Sequence, residues 1–408
     1  MAKMQQGKGP MLTRKKILLL SVILVVITLA LIEFTSYLIF RFEGWEKYKY
    51  EVVSSPYHPY LGWTHAKNTL ISSANACGPA VTYIQTDDEG YAITPRLSYE
   101  NPELKIAITG GSTIFGVGSS GNASTVPARL EEIIYNEMNL KVEVYNLARR
   151  GYQSFQEMLA LHTFLMTHKA DLVLAISGRN DSLYAASDQN ISSVFFPSHV
   201  YETAEFVRKA ERGELIYLKG LPNKFRSSCY TCELFYRSLK RLFYAPSVNE
   251  NAEDTDNMAI GTFQNIMERV NITKNHYALM DVISKVNGAI FVMFLQPTAY
   301  TKNKLSSKET SCISYKAERS KYLSKYEEKF YDGFRLSKKN FLYYNSANVL
   351  DNVEDDTYID QCHYNDNGAK AVAEAVFLKI KPIITDILHR KSNAPPSNTD
   401  ERNLPIAQ

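Results

Sequence analysis

The stretch Leu104-Lys105-Ile106-Ala107-Ile108-Thr109-Gly110-Gly111-Ser112-Thr113 decides how the chain is read. A short apolar run stopped by turn residues is the pattern of a buried strand entering a tight loop. The glycines permit a sharp strand-to-helix turn and leave the Ser112 hydroxyl at the sheet edge. Taken alone, the segment also suits an ordinary turn. It is not a G-x-S-x-G elbow, because Ile114 fills the last position of that frame. Nor is it a phosphate loop, since no Gly-Lys-Ser/Thr follows Gly118.

Outward from this strand the pattern alternates. Thr125–Glu137 carries Val126, Leu130, Ile133 and Ile134 at helical spacing, and Val142–Asn146 reads as a second strand. Ser154–Thr167 reads as a helix with Ser154 as its N-cap, and Leu172–Ser177 as a third strand. Further on, Thr262–Val286 is a long helix and Gly288–Leu295 a fourth strand. Glu318–Phe334 is another helix, Phe341–Tyr344 a weak fifth strand, and Gly368–Leu388 a closing amphipathic helix. Strands alternating with helices predict an α/β fold, a three-layer, doubly wound, mostly parallel sheet. The expected domain runs from 104 to 388, with a Tyr- and charge-rich insertion at about 190–255. Residues 41–103 read as an exported lead-in, and 389–408, with Pro395 and Pro396, as a disordered tail.

In such sheets the site forms beyond the carboxyl ends of the strands. Asn146-Leu147-Ala148-Arg149-Arg150-Gly151-Tyr152 follows the second strand, and Gly151 there offers a backbone N–H to an oxyanion. Ser177-Gly178-Arg179-Asn180-Asp181 follows the third, where the Asn180 amide is a second donor or an Asx turn. Asp360-Gln361-Cys362-His363 precedes the last helix. A serine needs an imidazole to take its proton, and the imidazole gains orientation from a carboxylate.

Each block is weak alone, but together their order agrees with their placement. The segments ITGGSTIFG, NLARRGYQS, ISGRND and DQCHYNDNGAKAVAEAV resemble the four blocks of the SGNH (GDSL-like) hydrolases, with similarity over roughly Lys105 to Leu388. The resemblance implies a flavodoxin-like fold and assigns Ser112 as nucleophile, His363 as base and Asp360 as its orienter. It also implies an oxyanion hole made by the N–H groups of Ser112 and Gly151 with the Asn180 amide. Gly111 stands where the family often has Asp, and GGS variants belong to the same pattern. The implied activity is a serine esterase acting on ester-linked acyl groups, with O-acetyl groups of cell-surface glycans as the expected substrate and acylated lipid as another. An O-acyltransferase with the same site, or a silent tethered binding protein, are the alternatives. No cofactor or metal is expected. His58, His162 and His168 lie away from the blocks and read as structural or surface residues.

The N-terminus adds a second theme. Ile17 to Phe40 is almost wholly apolar and long enough to cross a membrane, and Lys3, Lys8, Arg14, Lys15 and Lys16 precede it. By the positive-inside rule residues 1–16 are a cytoplasmic tail, 17–40 the transmembrane helix, and the catalytic domain is exported. A cleaved signal peptide fits less well, since no clear A-x-A site follows. Glu33 lies inside the span, where a carboxylate is costly unless it sits near the interface or has a partner.

Net charge is +3, from 46 basic against 43 acidic residues, which gives no reason to expect nucleic acid. The five cysteines leave at least one unpaired within the chain. Cys229 and Cys232 are spaced for a tight disulfide, or for a metal or redox pair, and Cys312 with Cys362 is a second candidate pair. Asn122, Asn190 and Asn271 head glycosylation tripeptides that matter only in a eukaryotic secretory host.

Overall fold

The computed structural model describes residues 14–42, 56–74, 81–94, 100–187, 229–232, 234–235, 252–313 and 317–393. The described residues form two compact units. One holds the N-terminal helix α1 (Arg14–Phe42) with residues 229–232 and 234–235. The other holds the rest, from residue 56 to 187 and from 253 onward.

Within the first unit, α1 is the one helix among the described residues long and apolar enough to cross a membrane, over Leu19–Phe42. Its side chains up to Ile32 are exposed where described.

The second unit is built on five parallel strands: β5 (Leu104–Gly110), β6 (Val142–Asn146), β7 (Leu172–Ser177), β8 (Ile290–Leu295) and β9 (Leu342–Asn345). Their order is β6-β5-β7-β8-β9. The chain therefore winds one way from β5 to β6 and the other way from β5 through β7 to β9. The reversal falls between β5 and β7, where doubly wound sheets open a crevice beyond their strand ends. The middle strands are buried on both faces, which is why they read as continuous Val, Ile, Leu and Ala runs.

Helices cover both faces. Ile106, Ile108, Val142 and Val144 pack beneath α3 (Val126–Met138) and α9 (Asp366–Asn393). Val173, Ala175, Phe291 and Met293 pack on the other side, against α4 (Ser154–Thr167), α6 (Ala252–Val286) and α8 (Ala317–Leu336). Also among the described residues are a short α2 (Ser112–Phe115), a nine-residue α5 (Arg179–Ser187) and α7 (Ser307–Ile313).

Several element ends differ from the sequence expectation. Gln153, not Ser154, caps α4. The Ser154 hydroxyl is drawn away to Asp181 at 2.6 Å. The strand expected from Gly288 starts at Ile290, because Gly288 sits at φ +80. The long helix begins ten residues before Thr262, inside the expected insertion. The closing helix runs on to Asn393, where Lys391 bonds the Glu103 carbonyl at 2.9 Å and pairs with Asp171 at 2.7 Å. The rest of the expected tail, and most of the insertion, lie outside the described residues.

Residues 56–74 and 81–94, expected as part of a lead-in, pack into the same unit as the sheet. They contribute two small antiparallel pairs, β1 (Tyr57–His58) with β2 (Gly62–Trp63) and β3 (Leu70–Ala74) with β4 (Val81–Gln85). Ala92 then bridges Asn146 at the free edge of β6. The Asn122 amide is spent on the carbonyls of Gln85 and Ile93 at 2.9 and 2.7 Å, so this glycosylation tripeptide is a structural clip. Cys229 and Cys232 are joined by a disulfide. The expected Cys312–Cys362 pair is not formed: Cys362 is a free thiol, while Cys312 is disulfide-bonded elsewhere.

Candidate active site

Three strand ends and one late loop converge. β5 ends at Gly110, and Gly111 leads directly into α2, whose first residue is Ser112. Ser112 Oγ lies 2.7 Å from His363 Nε2. On the far side of the ring, His363 Nδ1 is 2.7 Å from Asp360 Oδ2. Asp360 Oδ1 also accepts the backbone N–H groups of Cys362 and His363, each at 2.9 Å, so the loop curls around its own carboxylate. With the carboxylate on Nδ1, the neutral ring carries its proton there and presents Nε2 as an acceptor.

The loop bearing His363 is fixed from several sides. Ala299 donates its N–H to the Gln361 carbonyl at 3.0 Å, and Tyr364 Oη donates to the Pro297 carbonyl at 2.7 Å. Thr113 Oγ1 donates to the Cys362 carbonyl at 3.3 Å and accepts from Gln296 Nε2 at 3.0 Å. Buried Lys302 and Glu309 pair at 3.1 Å, and Glu309 accepts the N–H groups of Thr357 and Tyr358.

The ionisation pattern follows from these contacts. Burial raises the Asp360 carboxyl, but the His363 charge and the N–H bonds outweigh it and hold the group at about 2. Burial disfavours the His363 imidazolium, yet its electrostatic and hydrogen-bond contacts with Cys362 and Asp360 prevail and push it well above 6.5.

Asn180 lies in the first turn of α5, after β7. Its Nδ2 donates to the Tyr152 carbonyl at 2.6 Å, leaving the amide's second N–H for another acceptor. The same nitrogen lies against Gly111, where a Cβ would come within 2.5 Å of it. Gly151 adopts φ +79, a left-handed turn suited to glycine, and Arg149 beside it donates its N–H to the Gly110 carbonyl at 3.2 Å. The expected residues thus fall into one direct relay, Ser112–His363–Asp360, with Asn180 against Gly111 and Gly151 in the turn preceding Tyr152.

Other supports were invisible in the sequence. Asp181 is buried and accepts the N–H and hydroxyl of Ser154, the hydroxyl at 2.6 Å, so it ties the Asn180 turn to the start of α4 just beyond Gly151. Ser154 Oγ also lies 2.9 Å from His276 Nδ1. Trp63 grips the Gly151 turn at two points: its carbonyl accepts Tyr152 Oη at 2.6 Å, and its indole donates to the Arg150 carbonyl at 2.9 Å. Under the turns, Glu157 accepts from Ser177 Oγ at 2.5 Å and from Thr109 Oγ1 at 3.2 Å. Burial pushes its carboxyl up to about 8. Arg179 pairs with Glu327 at 3.0 Å, with side chains only 5% and 1% exposed.

No family model and no curated protein matches the chain. Solved structures do resemble it. A two-domain esterase active on acetylated mannans is 13% identical with a TM-score of 0.28, over 74% of this chain and 53% of that one, so the chain spans about half of that protein. The family 3 carbohydrate esterase of Clostridium thermocellum is 12% identical with a TM-score of 0.33, over 71% of this chain and 98% of that one. A catalytic mutant of an acetylxylan esterase from Geobacillus stearothermophilus is 10% identical with a TM-score of 0.35, over 69% and 95%. What the coordinates define is a class: a doubly wound parallel α/β unit with a serine, an imidazole and a carboxylate in line beyond its strand ends.

Proposed function

We propose that the chain is a membrane-anchored serine esterase that cleaves ester-linked acyl groups through an acyl-enzyme on Ser112. The observation that carries this reading is the pair of 2.7 Å contacts from Ser112 Oγ to His363 Nε2 and from His363 Nδ1 to Asp360. His363 takes the Ser112 proton as Oγ attacks the ester carbonyl. The oxyanion is held by the N–H groups of Ser112 and Gly151 and by Asn180 Nδ2. His363 then returns the proton to the leaving alcohol. Water, deprotonated by the same ring, releases the acid and restores Ser112.

The substrate we favour is an O-acetyl group on a cell-surface glycan. Support comes from the apolar helix at Leu19–Phe42 and the lysines and arginines before it, which tether the catalytic unit outside the cytoplasm. The test is acetate release from an O-acetylated polysaccharide and hydrolysis of p-nitrophenyl acetate, each with the full chain and with Ser112→Ala. A fluorophosphonate probe should label Ser112. Equal rates for both proteins, with no labelling, would remove Ser112 from the role.

A further inference from the structure

Two features that ester chemistry leaves unexplained, Glu33 and the Cys229–Cys232 pair, meet each other. Both Glu33 oxygens are engaged. Oε1 accepts the Tyr230 N–H at 2.7 Å, and Oε2 accepts the Thr231 N–H at 3.0 Å and the Thr231 hydroxyl at 2.9 Å. Ser36 Oγ lies 3.0 Å from Thr231 Oγ1. The Tyr230 ring stands edge-on to Tyr37 and Phe40, with centroids 5.3 and 5.4 Å away.

Positions 33, 36, 37 and 40 recur at helical spacing, so these contacts define one face of α1. That face is buried or half-buried on a helix otherwise largely exposed. The opposing segment is built to meet it. The disulfide closes the turn, and residues 230–232 and 234–235 are helical. The first N–H groups of a helical segment have no acceptor within it, and a carboxylate satisfies them by hydrogen bonding and by charge.

Depth gives the contact its meaning. Glu33 lies fourteen residues past Leu19 and nine before Phe42. At the helical rise this is about 21 Å and about 14 Å, within a hydrocarbon core of about 30 Å. No water is present there to solvate a lone carboxylate, and the turn supplies the missing donors. Phe235, 54% exposed, adds a large apolar ring to the same short segment. The disulfide belongs to an oxidising compartment, consistent with the half of the bilayer away from the cytoplasm.

We infer that residues 229–232 and 234–235 belong to a second membrane-embedded element, held on α1 by Glu33 and facing the acyl chains of the outer half of the bilayer. This rests on the reading of α1 as a membrane span. It makes Glu33 a docking residue and the Cys-x-x-Cys pair the clasp of the turn it docks.

The test places full-length Phe235→Trp protein in lipid nanodiscs, with the parent chain giving the background of Trp45 and Trp63. The added indole should emit to the blue, lose most of its intensity when brominated acyl chains are used, and ignore aqueous iodide. Adding Glu33→Leu should reverse this, making the indole iodide-accessible, while Glu33→Gln, which keeps an acceptor, should retain most of the lipid quenching. An indole quenched by iodide in the parent background, or shielded from both quenchers by a protein contact, would overturn the inference. So would lipid quenching unchanged by Glu33→Leu. An alkaline carbonate wash of membranes tests the span separately. A chain that stays with the membrane keeps that reading whatever the indole reports, and one that washes off refutes it.

Discussion

Gly111 and Asn180 exclude one another's growth: a Cβ on Gly111 would come within 2.5 Å of Asn180 Nδ2. The bare backbone beside Ser112 leaves room for the amide where it now sits, and a side chain there would have to move it.

Gly111→Asp, though it rebuilds the commoner motif, should displace the Asn180 side chain and lower kcat. Loss of one oxyanion donor costs on the order of 3 kcal/mol, or about a hundredfold. Asn180→Ala should give a similar loss, and the double variant little more than either alone. Turnover of p-nitrophenyl acetate by the three proteins checks this, and additive losses would separate the two residues.

The rate should rise with pH as His363 loses its proton, since only the neutral ring can accept from Ser112. Because Cys362 and Asp360 push the imidazole well above 6.5, the rising limb should lie above that value. Asp360→Asn should move the limb down in pH and lower the plateau by roughly 10²–10⁴, because the ring loses its orienting acceptor. A kcat/KM profile across this range for both proteins is the measurement.

Glu327→Leu should destabilise the catalytic unit by about 3–5 kcal/mol, because it strands the buried Arg179 charge. Adding Arg179→Met should recover much of the loss. Urea midpoints of the three variants report it. Activity should fall with the single change, since Arg179 directly precedes Asn180.

Glu157 ties stability to pH. Its carboxyl is raised from 4.5 to about 8 by burial, with Asp181 adding to the rise and bonds from Ser177 and Thr109 offsetting part of it. A raised acid stabilises fully below its unfolded pKa and loses that contribution as pH climbs through the folded value. Thermal midpoints should therefore decline from about pH 5 towards pH 8. Glu157→Gln, neutral throughout, should flatten that decline.

Much of the sheet was legible because buried strands write themselves as apolar runs. Val142–Asn146 and Leu172–Ser177 have the same ends in sequence pattern and structure. Ser112, Asn180 and His363 stood out as candidates because Ser112 opens a helix directly after β5, Asn180 follows β7, and His363 shortly precedes the last helix. Asp181 was not, since beside Asn180 it reads as turn chemistry. Only the fold reveals that it captures Ser154 and leaves Gln153 as the cap. β1 and β2, two residues each, are too short for periodicity to register, polar Ser72 and Ser73 interrupt β3, and Trp63 meets Tyr152 across 89 positions. Glu33 signalled only a cost, because its donors sit 197 and 198 positions away.

The relay joins residues 251 positions apart, and the loop that bears His363 enters α9, the helix packed with α3 against β5 and β6. During biosynthesis the nucleophile is thus made long before its base. A nascent chain stalled anywhere short of that final helix holds a serine with no partner to deprotonate it. The relay is complete only after residue 363 has been made, and any shorter product, stalled or truncated, leaves Ser112 without that imidazole.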